Sequence, residues 1–555
     1  MDDNTYQRLN RTLLSIQNDI TNQEEKEQQI GENNNNTDGS EHHTEDPYDI
    51  LNLKALLKLF GPAFARRIDF WYSVFFAILF GTICGGVGLG FFNGFEYISS
   101  HTWNTKEYQE NIKNNNGGNY GQGEWDTMIT MVIGGTAIGL IKVIWTGLFG
   151  EFPEDPPSLV TEVKDLHVHD PKLSIGLLLC SVISLGVGAS VGPEAAAGAI
   201  GASLGTFIAS LTFVSKRMES SNYFLPFLGI AAAFGPLLPS PILSSILLHE
   251  LTIASGAINR FDFMHSMVLS GIAASVSYTI FISLEDFTFL DQKILPIALF
   301  QFPNVHETDP ILMLYAIPLG IVSGIWGFVG VLVLGICKGV GGAISKGFNN
   351  LGRKCCGFNS YVLGLFFTPI IGGVLLGIIA KHFPLTIGDG NAQMGAVMSQ
   401  TFNRTIHREI NHKLNRTHFV DYGALAVSDL IATSLMKIVA LGISLGFGYI
   451  GGQLFPLMFS GTCLGAAASL LVGNDSLPIP IAVACCLVSI PCAFTPLVFT
   501  LTCTISMMLA LGSAATAPIF VSAFVSYTTV CGFGTVQKLI AKGIERKGGE
   551  LENLS

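Results

Sequence analysis

Between Phe70 and Cys531 the chain is a succession of apolar stretches, many of them approaching the roughly 20 residues that carry an α-helix across a hydrocarbon core. Within lipid every peptide group must find its partner inside the protein, so only helices and closed barrels can span. Stretches of this length read as helices. A mean hydropathy of +0.48, with only 13% charged residues against about 25% in soluble domains, excludes a soluble fold. The chain therefore reads as an all-α polytopic membrane protein. Its net charge of −11 sits largely in a polar N-terminal tail and in loops. No basic patch with interleaved aromatics points to nucleic acid. The 11 cysteines are scattered through apolar segments without a C-x-x-C pair or a Cys/His cluster, which argues against a disulfide framework, a metal site or a cofactor. Cys355 and Cys356, beside Arg353 and Lys354, read either as reduced thiols or as a juxtamembrane palmitoylation site.

Residues 1–50 form a polar segment with a Glu/Gln-rich run and four consecutive asparagines at 33–36. It cannot bury enough apolar surface to fold alone and lacks the apolar core of a signal peptide, so it reads as a disordered cytosolic tail. A juxtamembrane segment, 51–66, follows. Arg66 and Arg67 flank the first apolar stretch; Lys338, Lys346, Arg353 and Lys354, and then Lys538, Lys542, Arg546 and Lys547, repeat the basic signature. The positive-inside rule places all three clusters on the cytosolic face, with 546–555 as a short cytosolic C-terminus. Loops 102–125 and 400–418 fall on the opposite face, where Asn403 and Asn415 head two glycosylation sequons.

Many of the apolar segments are short and broken by glycine or proline, the pattern of a binding site assembled from half-helices near the bilayer midplane. Two breaks carry most of the information. The first is the Gly-rich run 185–194, ending in Gly192, Pro193 and Glu194 and followed by an Ala-rich stretch to Gly205. It reads as a helix starting inside the membrane, with free amides and a dipole end equivalent to about half a positive charge, which favours an anion. A carboxylate at the bilayer centre costs roughly 2.5–3.5 kcal/mol even on lenient insertion scales, so Glu194 faces the protein interior. It is either an acid that caps the turn or a gate that competes with an anion for the helix start. The second break, 446–456, repeats the logic with Gly451, Gly452, Gln453, Leu454 and Pro456. Small residues in one such segment serve tight helix packing as readily as ligand binding. One break in each half is harder to attribute to packing alone.

Here the sequence resembles the CLC family of chloride channels and transporters. The run 451–456 with Gly461, Thr462 and Gly465 is similar to the family motif G-x-F-x-P and the helix after it, with Leu454 in place of the usual phenylalanine. Gly192, Pro193 and Glu194 resemble the motif G-K/R-E-G-P, with proline replacing the basic residue and Ala195 and Ala196 the trailing Gly-Pro. A third motif, G-S-G-I-P, is faintly visible around Ser158, with Glu162 as the acid that follows. The stretch containing His249 and Glu250 resembles the family segment P-x-x-G-x-x-F-x-x-E.

The resemblance implies an inverted repeat with broken and tilted helices, its halves at 67–300 and 301–545, and a homodimer with one anion pathway per subunit. It implies that Glu194 gates, that the amides near Gln453 and Leu454 and the Ser158 hydroxyl hold the anion, and that Glu250 is the family's motif acid. Phe533 stands where a tyrosine contacts the anion in relatives; a phenyl ring donates no hydrogen bond, and Tyr527 is the alternative. Leu251 occupies the position where proton-coupled members carry a second glutamate, which favours a passive channel or uncoupled carrier over an exchanger. A proton relay would then need another group, such as His249, which otherwise reads as hydrogen-bonded structure. Chloride or a similar small anion is the implied cargo, in a plasma or internal membrane. A transport-inactive membrane scaffold or receptor on the same fold is the reading from a different class. An intramembrane hydrolase built on Asp389 and Ser460 lacks both paired membrane aspartates and a G-x-S-G.

Overall fold

A computed structural model of the chain describes residues 68–103, 125–150, 152, 171–211, 221–255, 263–284, 311–356, 361–402, 426–473, 476–495, 497–513 and 515–530. The N-terminal and juxtamembrane segments, the boundary between the halves at 300/301, both sequons, Ser158, Glu162, Phe533 and the C-terminus lie outside the described residues.

The first half contributes α1 (Ile68–Trp103), α2 (Trp125–Phe149), α3 (Pro171–Gly186), α4 (Glu194–Ala209), α5 (Ser221–Phe234), α6 (Pro241–Ser255) and α7 (Phe263–Ser283). The second contributes α8 (Ile311–Cys356), α9 (Tyr361–His382), α10 (Asn391–Phe402), α11 (Val427–Gly446), α12 (Leu454–Val472), α13 (Ile479–Phe494), α14 (Val498–Met508) and α15 (Thr516–Val530). Seven of these are long and apolar enough to cross a membrane. Others, α4 among them, are too short to span alone and serve as half-helices, as the interrupted sequence predicts. Helix α8, at 46 residues, is about 69 Å long at the usual rise, roughly twice a hydrocarbon core, so much of its basic C-terminal part lies outside that core or runs obliquely.

Lipid supplies no hydrophobic drive between helices, so association depends on close backbone approach, and glycines four residues apart provide it. On α1, a Cβ at Gly81 or Gly85 would strike the carbonyls of Ala273 and Ser277 on α7; Gly320 and Gly324 of α8 meet Ser522 and Ser526 of α15 in the same way. Gly201 and Gly205 of α4 lie against the α5 backbone at Gly229 and Leu225, and Gly461 and Gly465 of α12 against α13 at Cys486 and Ala482. Each contact in one half thus has its counterpart in the other. Between halves, α2 and α9 interlock through glycines on both partners: Gly135 and Gly139 against Pro369 and Phe366, Gly373 and Gly377 against Met131 and Met128. This is the all-helical, two-half architecture read from the sequence.

Replacing Gly201 with valine forces side-chain atoms into the Gly229 backbone, which cannot step aside as a flexible side chain would. The expected loss is at least 1–3 kcal/mol, about the usual cost of overpacking, whereas Gly271→Val, facing open space on α7, should leave the unfolding midpoint near that of the parent. Tryptophan-fluorescence melting of the purified protein measures both; equal midpoints for the two variants would contradict the packing account.

Candidate functional site

The two breaks meet at the centre of the fold and are built alike. One constant shift in numbering pairs Ser184 with Ser444, Gly188 with Gly448, Gly192 with Gly452 and Glu194 with Leu454. After α3 the chain reverses at Gly188 (φ 85°) and after α11 at Gly448 (φ 91°), a left-handed backbone that glycine adopts without a Cβ penalty. The amides of Ala189 and Tyr449 return to the carbonyls of Ser184 and Ser444, both at 2.9 Å.

The loops then exchange partners. Gly192 N donates to Gly452 O at 2.8 Å and Gly452 N to Gly192 O at 2.6 Å, a two-bond antiparallel bridge. Ser190 N donates to Ser444 Oγ at 3.1 Å, and Ile450 N to Ser184 Oγ at 3.0 Å. Each serine hydroxyl in turn donates to the carbonyl one turn back, Ser184 to Cys180 and Ser444 to Ala440, both at 2.8 Å. Four loop amides, those of Ser190, Gly192, Ile450 and Gly452, are therefore satisfied by the opposite half.

Glu194 opens α4 and is 4% exposed. Its Oε1 accepts a hydrogen bond from Leu454 N at 2.5 Å, while Oε2 is buried without a hydrogen-bond partner. The acid caps, but it caps the helix of the other half. Gln453, the N-cap of α12, makes no side-chain cap bond of its own, and Pro456 in the first turn has no N–H to offer. Glycine at 192 and 452 makes room for this: a Cβ at either position would overlap the Glu194 carboxyl group. The carboxylate thus lies on the Leu454 amide at the positive dipole end of α12, where a helix start favours an anion. Gly451 packs on Val191, and Tyr449 anchors the second loop by donating to Met131 O at 2.8 Å.

Two buried cations support the loops. Lys437, fully buried on α11, donates to Gly388 O at 2.6 Å and Thr386 O at 2.9 Å, with its ammonium 5.2 Å from the Phe459 ring centroid. Gly388 N in turn donates to Gly188 O at 2.7 Å, which links Lys437 to the first break. Asp389 caps α10 through Asn391 N at 3.0 Å and lies within electrostatic reach of both Glu194 and Lys437. Lys142, 3% exposed on α2, donates to Gly448 O at 2.6 Å in the second break. Sequence reading missed both lysines, although each was visible as a lone cation inside an apolar run, a pattern that marks a function in membrane helices.

Glu250 lies apart from this centre. Its Oε1 accepts from Phe499 N at 2.8 Å and its Oε2 from Thr500 N and Oγ1 at 2.9 and 2.7 Å, so the carboxylate caps α14. The His249 ring bridges Ser245 O at 2.7 Å and Ser266 Oγ at 2.8 Å, the arrangement of a hydrogen-bonded structural histidine. Leu251 is fully buried in apolar core, and Tyr527 packs at the edge of the same core.

Residues 157–530 match the family model "Voltage gated chloride channel". The YfeO protein of Salmonella choleraesuis (strain SC-B67) is 23% identical over 364 residues, covering 65% of this chain and 72% of that protein. Among solved structures, a slow cyanobacterial Cl−/H+ antiporter superposes with a TM-score of 0.59 at 17% identity, over 83% of this chain and 95% of that one. A CLC-type fluoride/proton antiporter gives 0.56 at 16% identity, over 82% and 94%. At these identities the structures establish a shared fold.

Substituting Ser184 or Ser444 with alanine strands a buried amide in the opposite loop. Each should cost about 1–3 kcal/mol, the penalty of one unsatisfied buried donor, and by the symmetry of the site the two losses should be similar. Melting of the single variants checks this; loss from only one of them would refute the reciprocal arrangement.

Proposed function

This chain belongs to the voltage-gated chloride channel family, and on that premise we propose that it carries chloride or a similar small anion along a pathway in each subunit gated by Glu194. As a family member it is a multi-pass membrane protein of anion transport, not an enzyme. The observation that carries the finer reading is the Glu194 carboxylate on the Leu454 amide at the start of α12. Charged, the carboxylate holds the position an anion would take. Protonated, it loses its attraction for the helix start, and a chloride ion can replace it. Helix-end amides bind an anion through partial charges, which keeps occupancy weak enough for release. Gln453 and Leu454 supply these amides, and the motif resemblance assigns Ser158 to the central anion and Phe533 to the position of the anion-contacting tyrosine. The working unit is a homodimer with one pathway per subunit.

Passive conductance is favoured over proton coupling. Leu251, where coupled relatives carry a carboxylate, is enclosed in apolar core, and both ring nitrogens of His249 are engaged. The antiporter identity of the two structural neighbours favours the second reading, a proton-coupled exchanger.

Chloride flux through the parent protein in liposomes should rise as pH falls, by up to about tenfold per unit near the titration of a single gating carboxylate. Glu194→Ala should conduct with little dependence on pH. A variant that keeps the parent's pH response would remove Glu194 from the gate. Simultaneous recording of chloride and proton movement should show chloride flux without fixed proton counter-flow; a constant ratio of the two would assign the protein as an exchanger.

A further inference from the structure

A cleft separate from the Glu194 centre opens where α2, α8, α9 and the end of α11 converge. The cleft is half open to its surroundings, with about 540 Å³ of free space counting its open mouth, and is lined by Lys142, Lys338, Ser345 and Thr368, together with residues 446–448. We propose that this cleft binds a phosphate-bearing anion, either the headgroup of an acidic lipid or a soluble phosphate.

The first support is charge. Two ammonium groups reach the cleft from different helices, and among the described residues that line it there is no acidic side chain. Lys142 is held in place by its bond to Gly448 O, so its charge is fixed at the cleft wall, whereas Lys338 is exposed at the rim. The second is an unsatisfied hydroxyl. Thr368 is 7% exposed, yet its Oγ1 has no hydrogen-bond partner, an arrangement that leaves a buried polar group in need of one. The half-buried Ser345 adds a second hydroxyl on the α8 side.

Size and chemistry select the ligand class. The space exceeds what a single halide ion fills. Two lysines and two hydroxyls drawn from three helices suit an anion with several acceptor oxygens, and phosphate takes charge-assisted bonds from lysine without needing the planar fork of arginine. Leu365, Leu445, Pro369 and Phe447 make the rest of the lining apolar, as a glycerol and upper acyl region would require. Ile336 and Val340, exposed on α8 beside the rim, continue that surface outward. The cleft also lies at the basic end of α8, on the face that the positive-inside bias makes cytosolic, where acidic lipids and soluble phosphates are both present. Because residues 446–448 begin the second break and Lys142 is bonded to Gly448 O, a bound phosphate would bear on the loop that feeds α12.

Binding is tested on the purified full-length protein, independently of transport. Native mass spectrometry compares phosphatidylinositol 4-phosphate with phosphatidylcholine, and thermal unfolding in inorganic phosphate is compared with chloride at equal ionic strength. Three forms are measured: the parent, Lys338→Gln/Ser345→Ala, and Lys346→Gln, which removes one exposed charge from the same helix outside the lining. The expected result is preferential binding of one phosphate probe, weakened about tenfold in the double variant and little changed in Lys346→Gln. Preference for the lipid identifies a headgroup, and stabilisation by inorganic phosphate alone identifies a soluble ligand. Equal binding by all three forms, equal loss in Lys338→Gln/Ser345→Ala and Lys346→Gln, or no preference over phosphatidylcholine and chloride would overturn the proposal.

Discussion

The two backbone hydrogen bonds between Gly192 and Gly452 fix the geometry on which the rest of the centre depends. A helix that breaks inside a membrane exposes amides and carbonyls that no water can satisfy, and each one left alone costs several kcal/mol. Here the breaks in the two halves satisfy each other, through the glycine bridge and through the crossed serine bonds of Ser184 and Ser444. Neither half could leave its helix at this point alone. The reciprocal solution also brings two helix starts together from opposite halves, which is the requirement for an anion site made without a full positive charge.

The same arrangement explains why Glu194 can be buried. Its Oε1 borrows an amide from the other half, and glycines on both sides leave space for the carboxyl group. The contact occupies the Leu454 amide, so any other acceptor at the start of α12 has to compete with the carboxylate for that donor. Lys437 and Lys142 stabilise the loops on either side by donating to carbonyls that the chain reversals leave unpaired by helix bonds, so each buried ammonium also gains a solvation shell of peptide oxygens.

Glycine pairs carry the scaffold outward from this centre. The contacts of α4 with α5 and of α12 with α13 repeat one another, as do those of α1 with α7 and of α8 with α15, so the two halves hold their breaks with equivalent supports. Helix α8 departs from the symmetry by its length. Its C-terminal part packs along α9 through Phe348, Asn349 and Gly352 and forms one wall of the cleft that also contains Lys142.

The sequence by itself determined the solvent, the helical class and the position of both breaks, because hydropathy, glycine and proline act locally and are written in order along the chain. Glu194 was legible for the same reason: a carboxylate in an apolar run next to a helix start has few other uses. What only the tertiary structure decided was which partners those groups take. Glu194 could cap its own turn or another, and it caps α12; Glu250 looked like a motif acid and holds the start of α14. Lys142 and Lys437 were visible in the sequence as lone cations in apolar runs, but the carbonyls they serve, like the amides whose hydrogen bonds Ser184 and Ser444 accept, belong to other elements, and such pairings arise from the way the halves pack, which no local pattern records.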